Sequence, residues 1–259
     1  MTFTVGQTFK EAIDRLTTQA AAVIIAGLAV FGIIRTAAGQ DIYTGIVEGI
    51  LDSLETADFR EDLGPNATEA LESAEAELEA SIAELSLALG LSPSIAAVLW
   101  LIAYVLGLAV IIVGLDTFGN EGDTFAEFET DNIGWNVLHL FLGSIVFGIL
   151  VTVGLLLFVI PGLLFIVFLF FFPAAIALDN QSFFEAFSTS ASIARNNFLS
   201  TVGLILLALV VFIALGIVGW VIGGVISGAP GEVFDELFSA FATALGLAIV
   251  ARAYVGATR

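Results

Sequence analysis

The side chains that could carry out chemistry are few in this sequence and lie far apart. His139 is the only histidine, cysteine is absent, and the hydroxyls of Ser144, Thr152 and Thr201 stand alone in apolar stretches. Acid–base catalysis requires a pair of titratable groups in tuned environments. We therefore predict no catalytic residue, no cofactor and no enzymatic activity. His139 is interpreted as a side chain that snorkels to the membrane interface, with a proton relay or a ligand as the alternative.

A group of carboxylates in the middle of the chain is a candidate site for a hard cation. Six acidic side chains and no basic one lie between Asp116 and Asp131. A calcium site needs several oxygens at defined spacing, and the D-x-D-x-D-G pattern is absent. We therefore interpret this segment as a solvated loop without a metal. Its central acids are Glu121, Asp123, Glu127 and Glu129.

The charge of the chain excludes nucleic acid as a partner and indicates a salty environment. The sequence has 26 acidic and 7 basic side chains, a net charge of −19, and 13 of the acids lie between Asp41 and Glu84. Such a surface repels phosphate backbones. It is tolerable where salt screens the repulsion, since the Debye length falls to ~3 Å at 1 M. We expect a halophilic archaeal protein, with a merely acidic exterior loop as the alternative.

Hydropathy indicates an all-α, polytopic integral membrane protein. Apolar residue types make up 59% of the chain and the mean hydropathy is +1.05, whereas soluble domains are ~45–50% apolar. A spanning helix needs ~20 apolar residues. We predict a single membrane domain, residues 1–259, with about six transmembrane helices. These spans are predicted at residues 18–34, 95–115, 135–160, 163–178, 198–226 and 234–254.

Proline, glycine and amphipathic patterns delimit these spans. Pro161-Gly162 is predicted to turn the chain between the third and fourth spans, and Pro173 is predicted to kink the fourth. Residues 3–16 and 180–197 alternate between apolar and polar faces at helical spacing. They are predicted to be amphipathic helices that lie at the membrane interface.

Basic residues predict the orientation of the spans. With six spans, five of the seven basic side chains fall on one side of the membrane. The positive-inside rule then places both termini in the cytoplasm, in a multi-pass protein of the cell membrane. The cytoplasmic set is Lys10, Arg15, Arg195, Arg252 and Arg259, against Arg35 and Arg60 outside.

Residues 35–92 are predicted to form an acidic exterior helical hairpin, inserted between spans 1 and 2. Apolar residues recur at helical spacing on both sides of Gly64-Pro65. The resulting stripes are expected to pack on each other or on the mouths of the spans. Asn66 begins an N-x-T sequon at the tip of the hairpin, and it is a candidate glycosylation site.

The fifth span carries glycines at the spacing that lets helices approach closely. Gly219 and Gly223 are four residues apart, as are Gly224 and Gly228, and Gly216 lies one turn earlier. We predict that these glycines pack helices within the protein, with a homo-oligomer or a partner's helix as the alternative. Gly228 also opens a predicted break before the sixth span.

The fourth and fifth spans, with the segment between them, carry a recognisable motif. An apolar hairpin at residues 154–163 is followed by F-P-A-A-I-A-L-D, then by S-F-F-E-A-F-S and A-R-N-N-F. This pattern resembles a broad prokaryotic membrane family, which includes the membrane domain attached to some glycerophosphodiester phosphodiesterases and many six-helix haloarchaeal proteins. The shared positions are Pro161, Gly162, Pro173, Asp179, Glu185, Ala186, Ser190, Arg195 and Asn197.

The resemblance implies a fold and structural roles rather than an activity. In that family the phosphodiesterase activity belongs to a separate soluble barrel, and this sequence shows no such barrel. The resemblance implies that Asp179 caps the amphipathic helix that follows it. It further implies that Arg195 meets the C-terminal end of that helix, and that Glu185 pairs with Arg195 or with backbone.

We expect a non-enzymatic accessory or scaffold protein. It would contact membrane lipids and hold a protein partner through the exterior hairpin or the glycine-rich fifth span. Charged residues lie near the ends of the predicted spans, which disfavours ion-coupled transport. The alternatives are a transporter or channel for a small or lipidic solute, and a membrane-embedded enzyme or lipid-handling protein.

Overall fold

The computed structural model describes residues 3–55, 64–120, 132–223, 225–226 and 228–259. Every regular element in these ranges is an α-helix. The helices are α1 (Val5–Leu16), α2 (Gln19–Glu55), α3 (Pro65–Ala83), α4 (Pro93–Gly119), α5 (Ile133–Leu157), α6 (Val159–Phe168), α7 (Phe172–Asp179), α8 (Phe183–Asn196), α9 (Phe198–Gly223) and α10 (Ala229–Thr258).

Six helical segments of the described chain are long and apolar enough to cross a membrane. They are α2, α4, α5, the pair α6–α7, α9 and α10. Hydrocarbon offers no hydrogen-bond partner to the backbone, so a spanning segment must satisfy its own N–H and C=O groups, as a helix does. The prediction of an all-α protein with six apolar helices of spanning length is confirmed.

α10 lies at the centre of the bundle, packed against α1, α2, α4 and α9. Its buried face is rich in alanine, including Ala240, Ala244 and Ala248. Small side chains let neighbouring helices approach closely. Gly114 of α4 also allows a close approach to α10, because a Cβ there would lie 3.1 Å from the side chain of Leu247.

α1 lies against the C-terminal half of α10 and against α9. Its apolar side buries Ala12, together with Phe3 just before the helix. A Cβ at Gly256 of α10 would lie 3.2 Å from Phe3. On the polar side, Glu11 lies 2.9 Å from the guanidinium of Arg252. The predicted N-terminal amphipathic helix is therefore present, and its apolar side holds it on the bundle.

α2 is a single helix of 37 residues, longer than one bilayer crossing requires. The predicted break between the first span and the first hairpin helix is absent, because α2 runs through both. No proline interrupts residues 35–42, so the hydrogen-bond ladder continues. α3 lies beside the C-terminal half of α2, where Tyr43 Oη and Ser81 Oγ are 3.0 Å apart. The predicted hairpin tip at Gly64-Pro65 lies at the start of α3, and residues 56–63 lie outside the described residues.

A single residue, Phe158, joins the third and fourth spans. The turn was predicted at Pro161-Gly162, and that prediction is wrong. Pro161 lies in the first turn of α6, where proline is tolerated because an N–H at that position would have no partner within the helix. Two glycines allow the two helices to touch beside the turn, because a Cβ at Gly154 would lie 2.8 Å from Gly162 Cα. This close contact replaces the expected proline turn.

Candidate functional site

The fourth span is broken between α6 and α7, and Ser190 of α8 bonds to both ends of the break. The Phe171 N–H donates to Ser190 Oγ at 2.9 Å, and Ser190 Oγ donates to the Phe168 carbonyl at 2.7 Å. Ser190 is fully buried. Pro173 lies in the first turn of α7, so the predicted kink is present as a complete interruption. α8 supplies hydrogen bonds that the interrupted span lacks.

α8 begins with a capping box rather than with a cap from Asp179. Ser182 Oγ accepts a hydrogen bond from the Glu185 N–H at 3.4 Å, and Glu185 Oε2 accepts one from the Ser182 N–H at 3.0 Å. The hydrogen bonds from Ser182 hold the pKa of Glu185 below its ordinary value of 4.5. Asp179 instead accepts a hydrogen bond from the Tyr254 hydroxyl at 2.5 Å. The capping role implied for Asp179 is therefore wrong, and its carboxylate ties α7 to α10.

Other motif residues occupy the body and the C-terminal end of α8. Ala186 is fully buried. Arg195 lies in the last turn, where a cation complements the helix dipole as the resemblance implies. Its pairing with Glu185 is wrong, because the two residues are ten positions apart on one helix, about 15 Å. The buried side chain of Asn197 donates to a carbonyl of the last turn at 3.1 Å.

His139 is buried rather than exposed at an interface. Its ring is 9% exposed and lies 4.0 Å, between centroids, from the ring of Trp135. Nδ1 accepts a hydrogen bond from the Phe183 N–H at 3.2 Å, so it satisfies a donor in the first turn of α8. The interpretation of His139 as a snorkelling side chain is therefore wrong.

The glycines of the fifth span make few close contacts inside the described chain. A Cβ at Gly219 would lie 3.4 Å from Phe238 of α10, whereas one at Gly216 or Gly228 would meet nothing within 4 Å. Gly216 thus mediates no close helix approach among the described residues. Gly228 has a φ of +73° and begins the turn into α10, which starts five residues before the predicted sixth span. The two others are Gly223, the last residue of α9, and Gly224, outside the described residues.

Carboxylates of α2 and of the N-terminal end of α10 bond to the segment before α4. Asp41, which is 3% exposed, accepts hydrogen bonds from the Gly90 and Leu91 N–H groups at 2.9 and 3.2 Å. Glu232 of α10 accepts a hydrogen bond from the Ser86 N–H at 3.2 Å. The sequence does not distinguish Asp41 from the other acids of this segment, because burial by a distant loop leaves no local pattern.

A cavity of about 100 Å³ lies between α2, α4 and α10, and we call it the polar cavity after the five polar side chains among its mostly apolar lining residues. In the part of the chain that the structure describes, four of these polar side chains make no hydrogen bond or ion pair. They are Arg35 and Ser239, which are exposed, and Tyr104 and Thr243, which are half-buried. The fifth, Glu236, accepts a hydrogen bond from the Thr36 hydroxyl at 2.5 Å. The cavity thus presents a cation, an anion and three free hydroxyls.

An apolar cavity of about 300 Å³ lies between α4, α7, α9 and α10. Its wall includes Leu115, Phe170, Phe212 and Leu247. Thr243 lines both this cavity and the polar one. Neither cavity could be predicted from the sequence, because each is bounded by helices that are distant in the chain.

The described residues contain no group of three or more His, Asp or Glu side chains that could hold a metal ion. The acidic segment at 121–131 lies outside the described residues, so the solvated loop stays a prediction. Asn66 is exposed in the first turn of α3, and its glycosylation also stays a prediction. Asn66→Gln is expected to increase the gel mobility of the native protein if that side chain carries a glycan.

A family model described as a domain of unknown function, DUF7847, matches residues 3–258. No curated protein and no solved structure matches the chain. The matched range includes all ten helices described above and both cavities. The chain therefore belongs to the DUF7847 family.

Proposed function

We propose that this protein is a non-enzymatic accessory or scaffold protein of the cell membrane that holds an exterior protein partner. The observation that carries the proposal is the exterior arm, which comprises residues 43–55 of α2 together with α3. Asp41 and its backbone partners lie at the exterior end of the bundle. α2 continues 14 residues beyond Asp41 without a break, a distance of about 21 Å. A helix continuous with a span would hold a partner at a set distance and orientation.

The exterior arm exposes apolar side chains among carboxylates. Ile46 is 56% and Ile50 is 44% exposed, whereas Val47 beside them is buried. An apolar patch with an acidic rim fits a partner protein whose apolar patch is surrounded by lysine and arginine. A second copy of the arm would bring like charges together. The acids of the described arm are Glu48, Asp52, Glu55, Glu69, Glu72, Glu75, Glu77 and Glu79.

The net charge of −19 suits a high-salt exterior, and we place the protein in a halophilic archaeon with both termini in the cytoplasm. At molar salt the Debye length is ~3 Å, so charge pairs contribute little beyond direct contact. The apolar side chains then supply most of the affinity. Full burial of one exposed isoleucine contributes ~1.5–3 kcal/mol. Ile46 and Ile50 are each about half exposed, so their burial together contributes ~1.5–3 kcal/mol.

The test is affinity purification of the full chain from its native membrane at molar salt, followed by mass spectrometry. Wild type is expected to retain a stoichiometric protein with a basic, apolar surface. The Ile46→Gln/Ile50→Gln variant is expected to bind it about 10- to 100-fold more weakly, since each 1.4 kcal/mol is a factor of ten. Leu89→Gln is the matched control, because Leu89 is also 56% exposed but lies outside the exterior arm.

Two results would contradict the accessory role. One is a wild-type protein that purifies without any stoichiometric protein. The other is a partner that the double variant retains as well as Leu89→Gln does. Both variants are expected to insert and unfold like wild type, because the changed side chains are exposed.

A further inference from the structure

The polar and the apolar cavities share one lining residue on α10 and lie along the same face of α4. Thr243 of α10 lines both cavities. On α4, Tyr104, Leu108 and Ile111 line the polar cavity, and Leu115 lines the apolar one. These positions follow one face of the helix, at i, i+4, i+7 and i+11. We infer that one membrane phospholipid binds here, with its phosphate in the polar cavity and a hydrocarbon chain in the apolar cavity.

The polar cavity offers the donors that a phosphate group requires. Within the described chain Arg35 has no ion pair, and the hydroxyls of Tyr104 and Ser239 have no hydrogen bond. A guanidinium binds phosphate through paired, charge-assisted hydrogen bonds. Arg35 lies six residues before Asp41 on α2, about 9 Å along the helix axis.

Glu236 determines which headgroups fit. Its carboxylate lines the same cavity and accepts one hydrogen bond, from Thr36. A Cβ at Gly32 would clash with this carboxylate, so the glycine is what leaves room for it. An ionised carboxylate has further acceptor positions. A headgroup that carries a hydroxyl or ammonium group beyond the phosphate donates to Glu236 while its phosphate remains at Arg35.

The apolar cavity distinguishes a lipid from free phosphate. Thr243 is the sole polar residue among those that line it. Its volume of about 300 Å³ lies at the lower end of the ~300–1,000 Å³ range of ligand pockets. Inorganic phosphate would leave this space empty, and a neutral lipid would leave Arg35 unpaired. The site is separate from the exterior arm. A lipid-binding site between the helices is also what the alternative function, transport of a lipidic solute, requires.

The experiment uses the full chain in detergent at molar salt. Binding of radiolabelled phosphatidylglycerol is measured by gel filtration and its effect on Tm by thermal unfolding. Diacylglycerol with the same chains and inorganic phosphate are the comparison probes. Phosphatidylglycerol is expected to bind at one molecule per chain and to raise Tm, and the other two are not.

The variants assign the binding to the polar cavity. Arg35→Gln is expected to weaken binding at least about tenfold, and Tyr104→Phe about fivefold, as the loss of a charged and a neutral hydrogen bond predicts. Arg195→Gln is the matched control, because it removes a cation outside both cavities and is expected to leave binding unchanged. Tyr104→Phe removes only a hydroxyl, so it provides the test even if Arg35→Gln does not fold.

Three results would overturn the inference. The first is equal affinity for phosphatidylglycerol in wild type and in the Arg35→Gln and Tyr104→Phe variants. The second is a Tm increase with inorganic phosphate as large as that with the lipid, which indicates a free-anion site. The third is equal affinity for diacylglycerol, which indicates a purely apolar site.

Discussion

Replacing Ser190 with alanine is expected to destabilise the protein strongly, because one hydroxyl serves both ends of the broken fourth span. Ser190→Ala removes the acceptor of the Phe171 N–H and the donor to the Phe168 carbonyl. The site is completely buried, so water cannot replace either bond. Each unsatisfied buried polar group costs ~1–3 kcal/mol, so the free energy of unfolding should fall by about 2–6 kcal/mol.

Reversible unfolding in mixed detergent micelles at molar salt measures this free energy for wild type and variants. Ser188→Ala is the matched control, since it removes the same atom from an exposed position on the same helix. Its effect should lie within about 0.5 kcal/mol. A Ser190→Ala variant as stable as Ser188→Ala would refute the assignment of Ser190 as the hydrogen-bonding partner of the break.

Two further substitutions test the packing at the α5–α6 turn and the ion pair of α1. Gly154→Val is expected to lower Tm, because its Cβ would lie 2.8 Å from Gly162 Cα, while Gly148→Val, whose Cβ would meet nothing within 4 Å, should leave Tm nearly unchanged. Burial raises the pKa of Glu11, but the hydrogen bonds and charge of Arg252 more than offset this, and the pKa lies below its ordinary value of 4.5. A lowered folded-state pKa contributes stability above pH 4.5 that is lost as the pH falls through the folded-state value. Tm should therefore drop on acidification through this range, and less so in Glu11→Gln; parallel Tm-versus-pH curves for the two proteins would contradict the ion pair.

The helical content and the six apolar segments of spanning length follow from local sequence. The thickness of the hydrocarbon core requires ~20 apolar residues per span, whatever the neighbouring helices are. Amphipathic spacing likewise predicted α1 and α8 without knowledge of their contacts. The position of the turn at Phe158 did not follow, because it depends on the contact between Gly154 and Gly162. The preference of proline and glycine for turns is a local rule. It cannot anticipate a contact between two helices.

The partners and surroundings of the polar side chains depend almost entirely on the tertiary structure. The sequence shows His139 only as a polar residue near the start of a span. Its hydrogen bond from the Phe183 N–H forms because α8 packs against α5. Arg35 and Glu236 lie on helices far apart in the chain, yet they line one cavity. Composition and periodicity therefore determined that this chain is an acidic, helical protein with apolar segments of membrane-spanning length, because hydrophobic transfer acts on each segment separately. The tertiary structure alone decided which polar groups are paired and which face a cavity, because hydrogen bonds require defined distances and angles between helices.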